Sequence, residues 1–327
     1  MKKFLSCTII LILLFCIKVS GQDYTFSNHN IVPFSLNPAL AGNANAIRIA
    51  TNYRQQWMNL GNRYHTARVS YDQNFYKQMC SLGFSYTYDN MSNGIFQTNE
   101  LALVYAHNIR LADGYFIRLG IQGSLFLNYF GYANLIFEDQ YDPASGSINP
   151  TTLENFENDN RIIGDFSAGI AFVMENKLTI GFSANHLSEP DNGFIDKNRN
   201  KIYRKYVAHI NYVYDFKHQS GLYNKRDLSS TYLFINANYQ HQFNFNAAYL
   251  GTGVAFKPLI LGVAFKSNFI DSNIASAMVG VHYKGLQLFY ICDFNVSTEG
   301  NGTWAHELSL IYVIKPKRKD LCPVVYW

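Results

Sequence analysis

Residues 35–57 read SLNPALAGNANAIRIATNYRQQW, and this stretch decides the fold because its pattern changes halfway. Asn37 followed by Pro38 predicts the start of a short helical turn, since Asn caps free backbone amides and Pro suits the first helical position. Gly42 predicts the end of that turn. From here the residues alternate with period two, with one face carrying Ile47, Ile49, Thr51, Tyr53 and Gln55 and the other carrying Arg48, Ala50, Asn52 and Arg54. The chain therefore enters a first β-strand.

The residues before this stretch predict export. Lys2 and Lys3 precede an apolar run from Phe4 to Ile17, and small residues end at Gly21, which predicts a signal peptide over 1–21. The run is shorter than the roughly 20 residues of a membrane helix. A lipoprotein anchor at Cys16 fits less well, because Phe15 stands where that cleavage site needs a small residue.

The composition favours a membrane β-barrel. The chain contains 24 Tyr and 25 Phe, yet only 15% of its residues are charged. Aromatic side chains are useful in such numbers at a membrane interface. No later stretch of about 18 apolar residues occurs, so the sequence excludes helical membrane spans. A soluble β-sandwich or sugar-binding domain would expose too many aromatic rings to water.

About 14 segments have strand character, which predicts an all-β, antiparallel transmembrane barrel over residues 47–314. An N-terminal segment, 22–46, precedes the barrel, and a basic tail, 315–327, follows it on the periplasmic side. The predicted strands are Ile47–Trp57, His65–Asp72, Ser81–Asp89, Thr98–Ile109, Tyr115–Phe130, Asp165–Met174, Lys177–Leu187, Lys201–Phe216, Ser229–Gln240, Phe243–Lys257, Leu259–Phe269, Ile274–Tyr283, Leu286–Val296 and Thr303–Ile314.

The alternation assigns faces. Apolar sets expected to meet lipid are Leu82, Phe84, Tyr86 and Tyr88, then Leu178, Ile180, Phe182 and Ala184, and in the last strand Trp304, Leu308, Leu310, Tyr312 and Ile314. Small polar sets expected to line the lumen are Ser81, Gly83, Ser85 and Thr87, then Thr179, Gly181, Ser183 and Asn185. A basic side chain on the lipid face costs about 2–4 kcal/mol at the midplane and an acidic one less, so Glu307 is expected to point inward.

Connection lengths predict the orientation. With both chain ends periplasmic, the tight links 174–177, 257–258 and 284–285 fall on the periplasmic side, where short turns are expected. The long connections Gly131–Gly164 and Ser188–Asn200 fall outside. Two connections depart from this expectation. His218–Leu228 is long although it falls on the periplasmic side, and 240–242 is short although it falls on the outer side.

The residues indicate neither catalysis nor a cofactor. The sequence has no G-x-S-x-G or H-E-x-x-H motif, and its nine His residues show no partner pattern. Asp196, Asn198 and Asn200 match the start of a calcium loop, but Lys201 and Val207 replace its Gly and Glu. Solvated loop residues are the better interpretation for these and for an acidic group comprising Glu138, Asp139, Asp142, Glu154, Glu157 and Asp159. Nucleic-acid binding has no support, because the single basic run is terminal.

Three cysteines remain after the signal peptide, Cys80, Cys292 and Cys322. A pairing of Cys80 with Cys322 is compatible with the topology, since both would lie on the same side. Three small hydrophobic side chains remain the alternative interpretation.

Two motifs near the chain ends resemble the PorP/SprF family of type IX secretion system membrane proteins. The motif residues are Asn37, Pro38, Ala39, Ala41, Gly42, Tyr53, Arg54, Gln56 and Trp57 near the start, with Asp293, Asn295, Ser297, Glu307, Ser309 and Leu310 near the end. The resemblance implies an accessory barrel for secretion or surface attachment of a substrate such as a type B adhesin in gliding Bacteroidetes. Its implied partners are lipid, periplasmic type IX components and the exported adhesin.

A transporter for small hydrophobic ligands, similar to fatty-acid uptake barrels, is the alternative. Those barrels also carry Asn-Pro-Ala near the N terminus, inside a luminal plug. We expect the segment before the first strand to be too short for a full plug, and the inward Ser, Thr, Gly and Asn to offer no continuous apolar path.

Overall fold

The structure is a computed structural model. It describes residues 23–44, 46–58, 64–132, 135–143, 146–152, 160–174, 177–194, 201–216, 231–256, 258–270, 272–297 and 304–314. The predicted signal peptide and the C-terminal tail lie outside the described residues.

Sixteen strands are described, and fourteen of them form one closed antiparallel barrel, which confirms the predicted fold. The strands are β1 Ile47–Gln56, β2 Tyr64–Phe75, β3 Cys80–Met91, β4 Phe96–Ala112, β5 Tyr115–Phe130, β6 Tyr141–Asp142, β7 Ser147–Ile148, β8 Asn160–Met174, β9 Leu178–Asn185, β10 Lys205–Asp215, β11 Tyr232–Gln242, β12 Phe245–Phe256, β13 Leu259–Ser267, β14 Asn273–Tyr283, β15 Leu286–Asn295 and β16 Trp304–Ile314. The two-stranded hairpin β6–β7 lies outside the barrel sheet, and its strands are too short for alternation to predict them.

The barrel closes through its first and last strands. β1 pairs with β16 from Ile47 opposite Ile314 to Gln56 opposite Ala305, and its other edge pairs with β2. Every strand of the barrel therefore has two neighbours, which leaves no unpaired edge in the lipid.

The helical structure among the described residues consists of short 3-10 turns. They are Pro33–Ser35, Pro38–Leu40, Tyr76–Gln78, Ser92–Gly94 and Glu138–Gln140. The second one confirms the predicted turn: the Asn37 side chain accepts a hydrogen bond from the Ala39 amide, and Gly42 follows with a φ of 66°. Among the described residues, no helix has the length and apolar character needed to cross a membrane.

The strand ends define two rims. We call the end where β1 begins and β16 ends the terminal rim, and the opposite end the loop rim. The tight β4–β5 and β14–β15 turns lie at the terminal rim, and the long connections 131–159 and 186–204 lie at the loop rim. The connection 216–231 is the long exception at the terminal rim, as the sequence predicted.

The outer surface is apolar along the strands. Leu82, Phe84 and Tyr86 are exposed, and Leu103 is 66% exposed, while Ser81, Ser85 and Thr87 are buried inside. Glu307 is fully buried on the luminal side. These positions confirm the predicted faces, and an exterior of this kind is suited to lipid.

The lumen differs from the expected small polar lining in one sector. Val213, Phe234, Ile260, Phe289 and Ile311 point inward and form a buried apolar cluster. They pack around three residues that precede the first strand, Ile31, Val32 and Phe34. Alternation could not reveal this sector, because its strands carry apolar residues on both faces.

The cysteine pairing stays a prediction. Cys80 and Cys292 are free and half-buried, and Cys322 lies outside the described residues.

Candidate functional site

The lumen is occupied by the segment that precedes the barrel. We call residues 23–44 the plug. Phe26, Ile31, Phe34 and Leu40 of the plug are all at most 8% exposed, so the segment is packed as tightly as a protein core. The expectation that this segment is too short to plug the barrel is therefore wrong: an extended chain covers about 3.3 Å per residue, enough for the plug to cross a membrane barrel.

The plug runs from one rim to the other. Asp23 lies at the loop rim, where it contacts His186 and Lys205. Gly42 lies near the terminal rim, where its amide donates to Asp72 over 2.7 Å. The N-terminal end of the described chain thus lies at the rim opposite the start of β1, whereas both ends were expected on the periplasmic side.

Asn37 fixes the middle of the plug to the barrel wall. Its side-chain Nδ2 donates to the Ile170 carbonyl at 3.0 Å and the Phe182 carbonyl at 3.3 Å, and lies 3.0 Å from Nε2 of His209. Asn37 is fully buried, so these bonds replace the water that the amide loses. One side chain therefore both caps the helical turn and holds it against β8, β9 and β10.

Three strand glycines make room for this turn. A Cβ on Gly169 would lie 2.0 Å from Asn37 Oδ1, and one on Gly120 would lie 2.1 Å from the Ala39 amide nitrogen. A Cβ on Gly181 would lie 2.8 Å from Asn37 Nδ2. Any larger residue would force the turn away from the wall.

Charged side chains hold the C-terminal end of the plug. Asp72 accepts hydrogen bonds from Arg48 at 2.7 and 2.8 Å in addition to the bond from Gly42. Arg118 donates to the Ala41 carbonyl. The plug backbone is thus held by Asp72 of β2 and Arg118 of β5, and Arg48 of β1 holds Asp72 in place.

A second ionic cluster joins the two family motifs. Arg54 of β1 lies 2.6 Å from Asp293 of β15 and 3.4 Å from Glu307 of β16. All three are at most 5% exposed. Ser27 of the plug completes the cluster, because its amide donates to Glu307 at 2.6 Å and its hydroxyl donates to Asp293 at 2.5 Å.

A clasp of charged groups holds the plug at the loop rim. His186 contacts Asp23 at 3.1 Å and Asp165 at 2.8 Å, and Lys205 also contacts Asp23. Burial alone would raise the pKa of Asp23, but Lys205 and His186 outweigh it and hold that pKa well below its usual value. Burial likewise opposes the charge on His186, yet Asp23 and the hydrogen bonds to the two carboxylates raise its pKa to about 9. Both partners are therefore charged at neutral pH.

Arg68 adds a cation–π contact to the plug. Its guanidinium lies 5.4 Å from the Tyr24 ring centre and 4.9 Å from that of Phe26. The Tyr24 hydroxyl donates to Glu100. The first residues of the plug are thus held by aromatic and polar contacts together.

The other motif residues of the barrel strands lie apart from the plug contacts. Tyr53 and Leu310 point outward, and Trp57 stacks on Tyr64 at the loop rim with ring centres 5.7 Å apart. The Asn295 side chain accepts a hydrogen bond from the Ser297 amide, and the Ser297 hydroxyl accepts one from the Asn273 amide, at the start of the β15–β16 connection. Gln56 accepts a hydrogen bond from Arg54, and Ser309 is hydrogen-bonded to Asn52 and Glu307. Pro38, Ala39 and Ala41 are buried in the plug.

Sequence reasoning missed the residues that receive the plug. They are Asp72, Arg118, Gly120, Gly169, His186 and Lys205, which show no shared spacing. A signal was available in the plug itself, since Ile31, Val32, Phe34 and Leu36 are too apolar for a solvated leader.

Two sizeable cavities lie beside the plug in the half near the loop rim. The larger has a volume of about 450 Å³ and is lined by the plug, by strands β2–β5 and β8–β11, and by described residues of the connection 186–204. The smaller, of about 300 Å³, lies on the other side, next to Arg54 and Lys266.

The structure places only some of the metal candidates, among them Glu138 and Asp139 in the turn Glu138–Gln140. Asp196, Asn198 and Asn200 lie outside the described residues, as do Glu154, Glu157 and Asp159. Within the ranges that the structure describes, no group of three His, Cys, Asp or Glu side chains could hold a metal ion.

These features define a class: a closed, plugged β-barrel with an apolar exterior, as found in outer-membrane proteins. The family model described as type IX secretion system membrane protein PorP/SprF matches residues 18–312. The chain belongs to this family, which confirms the resemblance of its terminal motifs and places the protein in the outer membrane as a component of that secretion system.

Solved barrels of similar shape are distant. The crystal structure of Acinetobacter baumannii outer membrane protein Omp33 is 9% identical and has a TM-score of 0.46, with 84% of this chain and 100% of that chain covered. A Pseudomonas aeruginosa FadL homologue is 13% identical, with a TM-score of 0.44 and coverage of 84% and 92%. These low TM-scores support no conclusion about function. Comparison with curated proteins gives no significant match.

Proposed function

We propose that this barrel is a non-enzymatic scaffold that supports secretion or surface attachment of a particular exported protein, such as an adhesin with a type B C-terminal signal, in the gliding and secretion machinery of Bacteroidetes. A cleavable signal peptide over 1–21 would deliver the chain to the periplasm. The single observation behind the scaffold role is the plug, which is anchored at both rims and in the middle and so leaves the lumen unsuited to free passage.

The connections at the loop rim are the proposed docking surface for the exported protein. The stretches 131–164 and 188–200 offer the longest chain on that side. At the opposite rim, the connection 216–231 and the basic tail are available to periplasmic components of the system. Short turns occupy most of that rim, so these two segments are its longest stretches of sequence.

Loop replacement tests the docking role. Residues 146–158 and residues 195–200 are each replaced by a short Gly-Ser linker, which spares His186 and the other plug contacts. We expect less adhesin on intact cells and more in the medium, with barrel levels unchanged. Replacing residues 298–303 at the same rim is the matched control. Unchanged surface retention in both loop variants would remove the docking proposal.

Transport of small hydrophobic ligands is the competing function. The plug makes the barrel more similar to such transporters than the sequence indicated. However, the larger cavity is lined by Arg68, Glu100, Asp165 and Lys205, which would have to be desolvated by an apolar ligand. Unimpaired growth on a fatty acid after deletion of the gene would support the scaffold over the transporter.

A further inference from the structure

Lys266 of β13 lies inside the barrel without an acidic partner in direct contact. Its ammonium donates to the Thr25 hydroxyl of the plug over 3.2 Å, and among the described residues no carboxylate lies within 4 Å of it. An ammonium has three N–H donors, so two of them have no acceptor in the part of the chain that the structure describes. Because charged groups inside proteins are usually paired, this one favours an acceptor that comes from outside the chain.

Lys266 lines the smaller cavity, which has a volume of about 300 Å³ and lies between the plug and strands β1 and β12–β16. Gln56 and Asn268 line the cavity on the side of the loop rim. The volume is at the lower end of the range of ligand sites. A water molecule takes about 30 Å³ of liquid, so a bare inorganic anion would fill only part of this space. The cavity therefore has room for a charged group with an organic body attached.

The other charged groups of this lining are already paired. Asp293 has both oxygens occupied, one by Arg54 at 2.6 Å and the other by the Ser276 hydroxyl at 2.7 Å. Glu307 lies 3.4 Å from Arg54 and does not line the cavity. Lys266 therefore carries the charge in this lining that lacks a counter-charge in direct contact, and it matches a ligand with one negative charge.

His29 of the plug adds a second donor to the same lining. Its ring lies 5.5 Å from that of Tyr249, and Tyr249 pairs with Lys266 across β12 and β13. Within the described ranges the His29 ring forms no hydrogen bond, and a neutral imidazole keeps one N–H donor. The charges that act most strongly on this ring are all cations, with Lys266 first among them. The space around His29 and Lys266 is therefore a favourable place for an anion.

We propose that this cavity binds a small organic carboxylate. The Lys266 ammonium and the His29 N–H donate to the carboxylate, and the uncharged body of the ligand extends past Phe245 toward the loop rim. Such a ligand joins the plug to the barrel wall, because His29 belongs to the plug and Lys266 to β13. The inference goes beyond the proposed scaffold role and does not depend on it.

Calorimetry on the purified full-length protein in detergent tests the charge of the ligand. The probes are phenylacetate and phenylacetamide, which are similar in shape and differ by one unit of charge. Phenylacetate should bind, and phenylacetamide should bind at least tenfold more weakly, because it cannot pair with the ammonium. Inorganic phosphate is the third probe, and it should bind more weakly than phenylacetate because it lacks the organic body.

Substitutions test the two donors. Lys266→Met removes the ammonium and should weaken phenylacetate binding at least tenfold, the loss expected for a hydrogen bond to a charged group. His29→Phe keeps a ring beside Tyr249 but removes the N–H, and should weaken binding at least threefold. It tests the same site should Lys266→Met fail to fold. Lys77→Met is the matched control, since Lys77 is exposed in the turn Tyr76–Gln78 at the terminal rim, and it should bind like the wild type.

Hydrogen exchange supplies an independent readout. Saturating phenylacetate should slow the exchange of residues 25–29 in the wild type and in Lys77→Met but not in Lys266→Met, because the ligand stabilises the state in which the plug is seated.

Four results would overturn the inference. They are equal binding of phenylacetate and phenylacetamide, tighter binding of inorganic phosphate than of phenylacetate, no measurable phenylacetate binding at millimolar concentration, and equal affinity for phenylacetate in Lys266→Met and Lys77→Met. The second result would assign the cavity to an inorganic anion.

Discussion

Arg54 and Asp293 form a buried ion pair of 2.6 Å that links the N-terminal motif to the C-terminal one across the barrel seam. β1 and β16 lie side by side there, and β15 is the next strand. Ser27 of the plug bonds to the same carboxylate. The pair therefore couples closure of the barrel to seating of the plug.

Arg54→Met should destabilise the barrel strongly. The substitution leaves the Asp293 and Glu307 carboxylates buried without their cation, which costs about 3–5 kcal/mol when one partner of a buried pair is removed. The free energy of unfolding, measured by urea titration in detergent, should fall by that amount. Arg110→Met is the control, because the Arg110–Asp113 pair is half exposed and such pairs contribute about 0–1 kcal/mol. Equal losses in the two variants would contradict the coupling.

Gly169→Ala should unseat the plug. Its Cβ would lie 2.0 Å from Asn37 Oδ1, and overpacking of this kind costs about 1–3 kcal/mol. Hydrogen exchange of residues 36–41 should speed up along with the loss of stability. Gly164→Ala in the same strand is the control, since its Cβ meets nothing within 4 Å. If the two variants behave alike, Gly169 does not hold the turn.

The clasp at the loop rim should weaken at alkaline pH. The pKa of His186 is raised to about 9 in the folded protein, so its contribution is complete below its unfolded value of about 6.5 and is lost as the pH rises through 9. The pKa of Asp23 is lowered, so its contribution persists over this range and is lost only below about pH 4. Hydrogen exchange of residues 24–28, corrected for intrinsic rate, should therefore increase between pH 6.5 and 9.5. His186→Gln should remove this dependence, and a wild-type profile that is flat would exclude the clasp.

The N-terminal end of the plug should be accessible from outside the cell. Asp23 lies at the loop rim, and in bacterial barrels the rim with the long connections faces outward. An epitope inserted directly before Asp23 should bind its antibody on intact cells. The same epitope in the connection 216–231 should bind only after the outer membrane is permeabilised. The opposite pattern would mean that the barrel is inverted.

The sequence predicted the barrel well because lipid imposes a simple rule on every strand. Leu82, Phe84 and Tyr86 alternate with Ser81, Ser85 and Thr87, and Glu307 has no tolerable place except the lumen. This rule does not predict the plug, because residues 23–44 show no hydrophobic periodicity and their contacts are with residues far away in the sequence. The rule also does not predict that Phe234, Ile260 and Phe289 point into the lumen. Their strands are apolar on both faces, and the side that faces the interior is evident only from their contacts with the plug.

The contacts of the plug illustrate the same limit. Asn37 was identified as a helix cap from its neighbour Pro38, and the structure confirms that role. Its bonds to the wall depend on Gly169 and Gly181, which are ordinary strand glycines in the sequence. No local pattern shows that three separate strands leave room for one turn.

Single-channel recording in planar lipid bilayers tests the central claim most directly, namely that the plug closes the lumen and leaves the barrel a scaffold. The account predicts that the wild-type protein gives no steady conductance, while a Gly120→Leu, Gly169→Leu double variant, which displaces the turn around Asn37, opens a channel. A wild-type protein that conducts steadily, at the same level as the double variant, would contradict it.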